Sequence, residues 1–137
     1  MTLPAEWTLR KTETGFVFAC NLPVLPAVRQ NRNSRWGPNG QRARDYNAAK
    51  NAIHDLLVIA MKQKGIEPSP KDARLAIKLN IWKGGFQVWI EEIGHKPDKG
   101  YLKGDWDNLA KCVCDSMQGV AFANDSQIDS AGVGLFR

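Results

Sequence analysis

The stretch that decides the interpretation of this chain reads Gly104-Asp105-Trp106-Asp107-Asn108-Leu109-Ala110-Lys111. Two further acids follow it, Asp115 and then the first residue of Asp125-Ser126-Gln127-Ile128. Carboxylates this close in sequence repel one another, so a fold that gathers them needs a compensating cation. Hard oxygen ligands suit Mg²⁺ or Mn²⁺, and such ions activate water for phosphodiester hydrolysis. The stretch therefore predicts a metal-dependent hydrolase.

The residues around this stretch also predict a helix from about Asn108 to Gln118. Asp105 or Asp107 is a good N-cap for that helix, and Gly119 follows as its C-terminal stop. The helix supplies a frame on which the acidic side chains of the stretch can be placed.

A purely structural role for the same residues is the main alternative. Asp107, Lys111 and Asp115 are spaced by four and share one helix face, so Asp107 can cap the helix while Lys111 pairs with the acids on either side. A calcium-binding EF-hand loop is excluded, because Ala110 replaces its sixth-position glycine and Ser116 replaces its twelfth-position glutamate.

The second half of the pattern favours the metal site. A short apolar turn, Val120-Ala121-Phe122-Ala123, precedes Asp125 and can fold it back beside the helix start. Asp105, Asp107 and Asp125 would then converge and hold one or two divalent ions, while Lys111 would offset the developing negative charge.

The rest of the chain is basic, with a net charge of +5 and a pI near 9.3, which favours an anionic partner such as nucleic acid. Five arginines surround Trp36 with no acid before Asp45, and arginine binds phosphate while tryptophan stacks on unpaired bases. The alternative is a solvated loop with one anchoring tryptophan. The candidate DNA-binding residues are Arg29, Arg32, Arg35, Trp36, Arg42, Arg44, Lys96, Lys99 and Lys103.

Hydrophobic periodicity predicts the remaining elements. A strand is expected at Phe16–Leu22, and an amphipathic helix at about Gln41–Lys64 that ends before Gly65. Alternation over Arg74–Ile81 predicts a strand with one buried face, and Phe86–Ile90 is either its hairpin partner or an extension around a bulge. The segment from Gly94 to Gly104 is expected to be flexible.

Several classes of protein are disfavoured. The three cysteines, Cys20, Cys112 and Cys114, form no disulfide framework and indicate reduced thiols in the cytoplasm. With only two histidines, a zinc site is not expected. No apolar run is long enough for a membrane span, and the N-terminus does not look like a signal peptide. One domain spanning residues 1–137 is the natural count for this length.

The motif resembles that of the RusA-type Holliday junction resolvases. The resemblance rests on Asp105-Trp106-Asp107-Asn108-Leu109-Ala110-Lys111, then Asp115-Ser116-Met117, then Asp125-Ser126-Gln127-Ile128. It extends more loosely upstream, where Cys20-Asn21-Leu22-Pro23 is similar to the family's first strand, and it covers about residues 16–130.

The resemblance implies a Mg²⁺-dependent homodimeric endonuclease of DNA recombination and repair that makes paired nicks in four-way DNA junctions. It places the metal-binding aspartates at Asp105, Asp107 and Asp125 and the catalytic lysine at Lys111. The implied fold is α+β, with a small mixed β-sheet packed with two helices.

Two departures from the family pattern favour an alternative, a non-catalytic nucleic-acid-binding protein that retains the fold and the basic surface. Asn124 stands where the family usually has a second acid, and the chain stops at Arg137 where members commonly continue into a further strand. A third possibility is a general nuclease for flaps or single strands.

Overall fold

The computed structural model describes residues 6–27, 38–95 and 102–135, with the backbone alone at 38 and 39. Contacts divide the chain into two compact units, Met1–His95 and Lys96–Arg137. The single domain expected from the chain length stays a prediction.

The described residues form an α+β fold, as predicted. The first unit contains strands β1 (Trp7–Lys11), β2 (Gly15–Cys20), β3 (Ala73–Trp82) and β4 (Gly85–His95) and helix α1 (Pro38–Lys64). The second contains helix α2 (Trp106–Met117) and a 3-10 turn at Asp125–Gln127. None of the helices in this described part of the chain is long and apolar enough to cross a membrane.

The strand order is β1-β2-β4-β3, and every neighbouring pair is antiparallel. The resemblance implied a mixed sheet, and the described strands differ. β1–β2 and β3–β4 are hairpins, whose short turns permit only antiparallel pairing, and β4 also runs antiparallel to β2. β4 is therefore the hairpin partner of β3. It runs to His95, so the start of the expected flexible segment is instead part of a strand.

Helix α1 packs against one face of this sheet, on the side of β1 and β2. It begins at Pro38, three residues before the predicted start, and ends as predicted at Lys64. Gly65 has a φ of 66°, and the Ile66 N–H donates to the Met61 carbonyl at 2.9 Å, a common way to close a helix. The buried core consists of Leu9, Phe16, Phe18, Cys20, Ala60 and Phe86, with Ile53, Leu56, Leu57 and Met61 of α1 packed against it.

The prediction that strand β3 has one buried face is wrong. Ile77, Leu79 and Ile81 lie opposite Ile90, Val88 and Phe86 and so share the core face, yet each is at least 50% exposed. The reason is the strand order: α1 packs on β1, and β3 is the opposite edge of the sheet.

Strand β1 was not predicted, because Leu9 is its only buried residue and the alternation is too short to recognise. Where β2 begins, the sequence requires glycine. A Cβ at Gly15 would lie 1.8 Å from the Ile90 carbonyl oxygen of β4. The side-chain-free position lets the two strands pair closely.

Candidate active site

Asp105 lies at the start of α2, and its carboxylate does not cap the helix. The helix begins at Trp106, so Asp105 occupies the N-cap position with extended backbone, but its side chain makes no capping hydrogen bond. The Leu109 N–H instead donates to the Asp105 main-chain carbonyl at 3.0 Å. The carboxylate is exposed, and no other described residue forms a hydrogen bond or ion pair with it.

Asp107 and Lys111 lie one turn apart on the same helix, in a geometry that differs from the structural alternative. Asp107 is inside the first turn of α2, and its Oδ1 accepts a hydrogen bond from the Asn108 N–H at 3.0 Å. Lys111 forms no salt bridge with Asp107, Asp115 or any other described residue. The pairing expected of a structural lysine is therefore not formed, and its ammonium group is exposed.

Asp125 is presented by a tightly hydrogen-bonded turn after α2. The Gly119 N–H donates to the Phe122 carbonyl at 2.6 Å, which closes the apolar turn that the sequence predicted. Asp125 is then the first residue of the 3-10 turn, and its side chain is exposed.

Asn124 and Gln127 form a reciprocal cap on either side of Asp125. The Ser126 N–H donates to Asn124 Oδ1 at 3.0 Å, while Gln127 Oε1 accepts from the Asn124 N–H at 3.0 Å and the Ala123 N–H at 2.9 Å. These two roles were missed from the sequence, although an Asn followed three residues later by Gln is the known signature of a capping box. Asn124 therefore has a structural role of its own.

The donor chemistry of the second unit fits a hard divalent cation. Asp105, Asp107 and Asp125 are all exposed carboxylates, and oxygen is the ligand that Mg²⁺ prefers. Among residues 6–27, 38–95 and 102–135, no three His, Cys, Asp or Glu side chains are grouped closely enough to hold a metal ion. The convergence of these three aspartates stays a prediction.

Three of the nine candidate DNA-binding residues fall in the described part of the chain. Arg42 and Arg44 are exposed near the start of α1, where Arg44 Nη2 donates to Gln41 Oε1 at 2.9 Å. Lys103 is exposed just before the acidic motif. The others, Arg29, Arg32, Arg35, Trp36, Lys96 and Lys99, lie outside the described residues.

Comparison with known protein families gives a match that covers the motif. The family model described as Endodeoxyribonuclease RusA matches residues 23–136, which include all four candidate catalytic residues. Neither the curated proteins nor the solved structures gave a match.

Proposed function

Because this chain belongs to the endodeoxyribonuclease RusA family, we propose that it is a Mg²⁺-dependent enzyme that resolves four-way DNA junctions by paired phosphodiester hydrolysis. The family match across 23–136 is the observation that carries the proposal. The uncommitted carboxylate of Asp105 and the unpaired ammonium of Lys111 support it, since neither side chain is used to hold the described part of the fold together.

Asp105, Asp107 and Asp125 are the proposed metal ligands. Bound Mg²⁺, or Mn²⁺ in its place, would supply Lewis-acid polarisation of the phosphate and a water of lowered pKa. The turn closed by Asn124 and Gln127 restricts the backbone on both sides of Asp125, so the point from which this side chain projects is fixed before any ion binds. Restricting a ligand in advance lowers the entropy lost on binding.

Lys111 is proposed to stabilise the charge that develops on the phosphate during hydrolysis. Its position one helical turn after Asp107 places the two groups on the same side of α2. An ammonium group already paired with a carboxylate would be partly neutralised, and Lys111 has no such partner among the described residues. Its full charge is available to the substrate.

The proposal includes a homodimer acting on branched DNA in the cytoplasm. A four-way junction is near two-fold symmetric, so a two-fold protein dimer can place one active site on each of two strands. Arg42, Arg44 and Lys103 are exposed cations suited to phosphate contact. The free thiols Cys20, Cys112 and Cys114 are consistent with a reducing compartment.

The decisive experiment measures nicking of a synthetic four-way junction in Mg²⁺ or Mn²⁺. The wild type should produce paired nicks, whereas Asp105→Asn, Asp107→Asn and Asp125→Asn should lose cleavage while still binding the junction in EDTA. Asp115→Asn is the matched control for Asp107→Asn, because it removes the same charge from the same helix, one turn beyond Lys111, and should cleave normally. Competing flap and linear duplex DNA would show whether branched DNA is preferred.

The non-catalytic binding protein is the outcome that replaces this proposal. In that case the purified protein cuts no branched DNA with either metal, and wild type and Asp107→Asn bind the junction equally well. Mg²⁺ would then also fail to stabilise the wild type against unfolding, because no carboxylate site would exist to bind it.

A further inference from the structure

The sheet has a second face that α1 does not cover. Cross-strand partners share a face, so the pairs Trp82–Gly85, Asn80–Gln87, Lys78–Trp89 and Ala76–Glu91 all lie opposite the core side. We define the open face by six side chains: Lys78, Asn80, Trp82, Gln87, Trp89 and Glu91. No part of this face belongs to the core cluster.

Two tryptophans mark this open face. Trp82 is 50% exposed, and its indole lies against Gly85, where a Cβ would come within 2.8 Å of Nε1. Trp89 is half-buried, and Lys78 Nζ lies 5.2 Å from its ring centroid. The cross-strand pairs that contain the two tryptophans, Trp82–Gly85 and Lys78–Trp89, are four residues apart along the strands, or about 14 Å. Large aromatic rings left on a sheet surface are candidates for ligand contact.

Polar groups between and around the rings have the chemistry of nucleobase recognition. Asn80 and Gln87 are direct cross-strand partners in the row between the two tryptophans, and each amide offers both donors and an acceptor to a base edge. A shallow, open depression beside Trp89 is lined by Ala76, Ile77, Lys78 and Glu91. The small side chain of Ala76 leaves room for a flat ring there.

The local charge is complementary to a DNA backbone. Lys78, Lys83 next to Trp82, and Arg10, which aligns with Trp89 across β2, are exposed cations. They outnumber the carboxylates of Glu91 and of Glu6, whose backbone N–H is hydrogen-bonded to Asn21 just before β1. Unpaired strands are commonly bound by cationic surfaces on which aromatic side chains stack with successive bases.

We propose that the open face binds unpaired bases of a DNA strand, with Trp82 and Trp89 as stacking platforms, Asn80 and Gln87 at base edges and Lys78 at phosphate. The choice of DNA over other nucleic acids rests on the proposed function. The binding itself needs neither metal nor catalysis, so it is tested in EDTA and its outcome is independent of whether the protein cleaves junctions.

The test measures the binding of a labelled single-stranded oligothymidylate, an abasic strand of equal length and a blunt duplex by fluorescence anisotropy. The wild type should prefer the strand that carries bases over the abasic strand. Trp89→Ala and Trp82→Ala should each weaken binding to the oligothymidylate about tenfold and remove that preference, while Trp89→Phe should retain most of it. Leu79→Ala is the matched control, because it shortens an equally exposed side chain on the opposite face of β3.

Charge variants test the same face without removing an aromatic ring. Lys78→Gln should lower the slope of log affinity against log salt by about one, and Glu91→Gln should strengthen binding of every DNA. Equal loss for strand and duplex in Trp82→Ala and Trp89→Ala would overturn the proposal, since stacking would then not be involved. Unchanged binding in both would also overturn it and leave the face to a protein partner.

Discussion

Different interactions stabilise the two units of this protein internally. In the first, Phe18 and Ala60 are 0% exposed, and the Phe18 and Phe86 rings meet edge to face with centroids 5.9 Å apart. In the second, no residue from 102 to 135 is buried, and Trp106 and Val113 of α2 are each 58% exposed. Short-range hydrogen bonds, such as those of Asn124 and Gln127, shape that unit instead.

This difference separates the residues that stabilise the fold from the candidate catalytic residues. The residues that set the shape of the first unit are apolar and enclosed, so replacing them changes the free energy of unfolding. All four candidate catalytic side chains belong to the second unit and are exposed, so replacing them removes no packing. Substitutions in the two units should therefore be distinguishable by measuring stability and cleavage on the same variants.

The largest effect is expected in the first unit. Phe18→Ala should lower the free energy of unfolding by about 3–5 kcal/mol, because it removes a fully buried ring and leaves a cavity beside Phe86. Urea denaturation followed by circular dichroism measures this change. Val113→Ala is the control in α2, and its effect should stay within about 0.5 kcal/mol. A comparable loss in both variants would contradict the distinction between the units.

The next effect is on the reaction alone. Lys111→Met should slow junction cleavage by about 10²–10³-fold, since a charge aimed at the transition state is lost. Stability should not change, because Lys111 has no ionic partner among the described residues. Single-turnover cleavage at saturating protein is the measurement, and Lys111→Arg, which keeps the charge, should recover part of the rate. Loss of stability in Lys111→Met would show a structural lysine instead.

A smaller effect tests whether the second unit positions its acid. Gln127→Ala removes the acceptor of the Ala123 and Asn124 N–H groups and should cut cleavage about tenfold at limiting Mg²⁺. The Mg²⁺ concentration for half-maximal cleavage should rise, with the rate largely restored at high Mg²⁺. Gln127→Glu keeps an acceptor oxygen and serves as the control. An unchanged Mg²⁺ dependence would mean that this turn does not position Asp125.

The smallest expected effect is a pH dependence of stability caused by a buried thiol in the core. Burial raises the pKa of the Cys20 thiol above its ordinary value of 9.0, against a weaker lowering by the backbone hydrogen bond to Leu22. The folded state therefore holds this proton more tightly than the unfolded state, so stability is complete below pH 9.0 and falls as pH rises through the folded pKa. The loss should not exceed about 1.4 kcal/mol per pH unit. Cys20→Ala should flatten this dependence in urea titrations, and equal slopes for both proteins would refute the assignment.

How much could be predicted from the sequence differs between the units. Periodicity located α1, its end before Gly65 and the strands β2 and β3, because each has apolar side chains at a recognisable spacing. The exposure of Ile77 and Leu79 could not be predicted, since alternation shows that a strand has an apolar face and does not show which element covers it.

In the candidate site, residue chemistry selected the acids and Lys111 as candidates, which stay a prediction. Helix α2, which carries Asp107 and Lys111, begins within two residues of its predicted start. The reciprocal cap around Asp125 was readable as a capping box and was missed. That Lys111 forms no salt bridge among the described residues could not be predicted, because spacing permits an i,i+4 pair without determining that it forms.

The exposed apolar side chains of β3 also lead us to expect a particular behaviour of this protein on heating. Ten residues of edge strand contain no proline, and Leu75, Ile77, Leu79 and Ile81 all remain exposed along it. Such an edge can pair with the same edge of a second molecule once thermal motion loosens its surroundings. Heated samples should then cloud irreversibly, with an apparent Tm that depends on scan rate and protein concentration. Leu79→Lys, which places a charge in the strip, should keep heated samples clear.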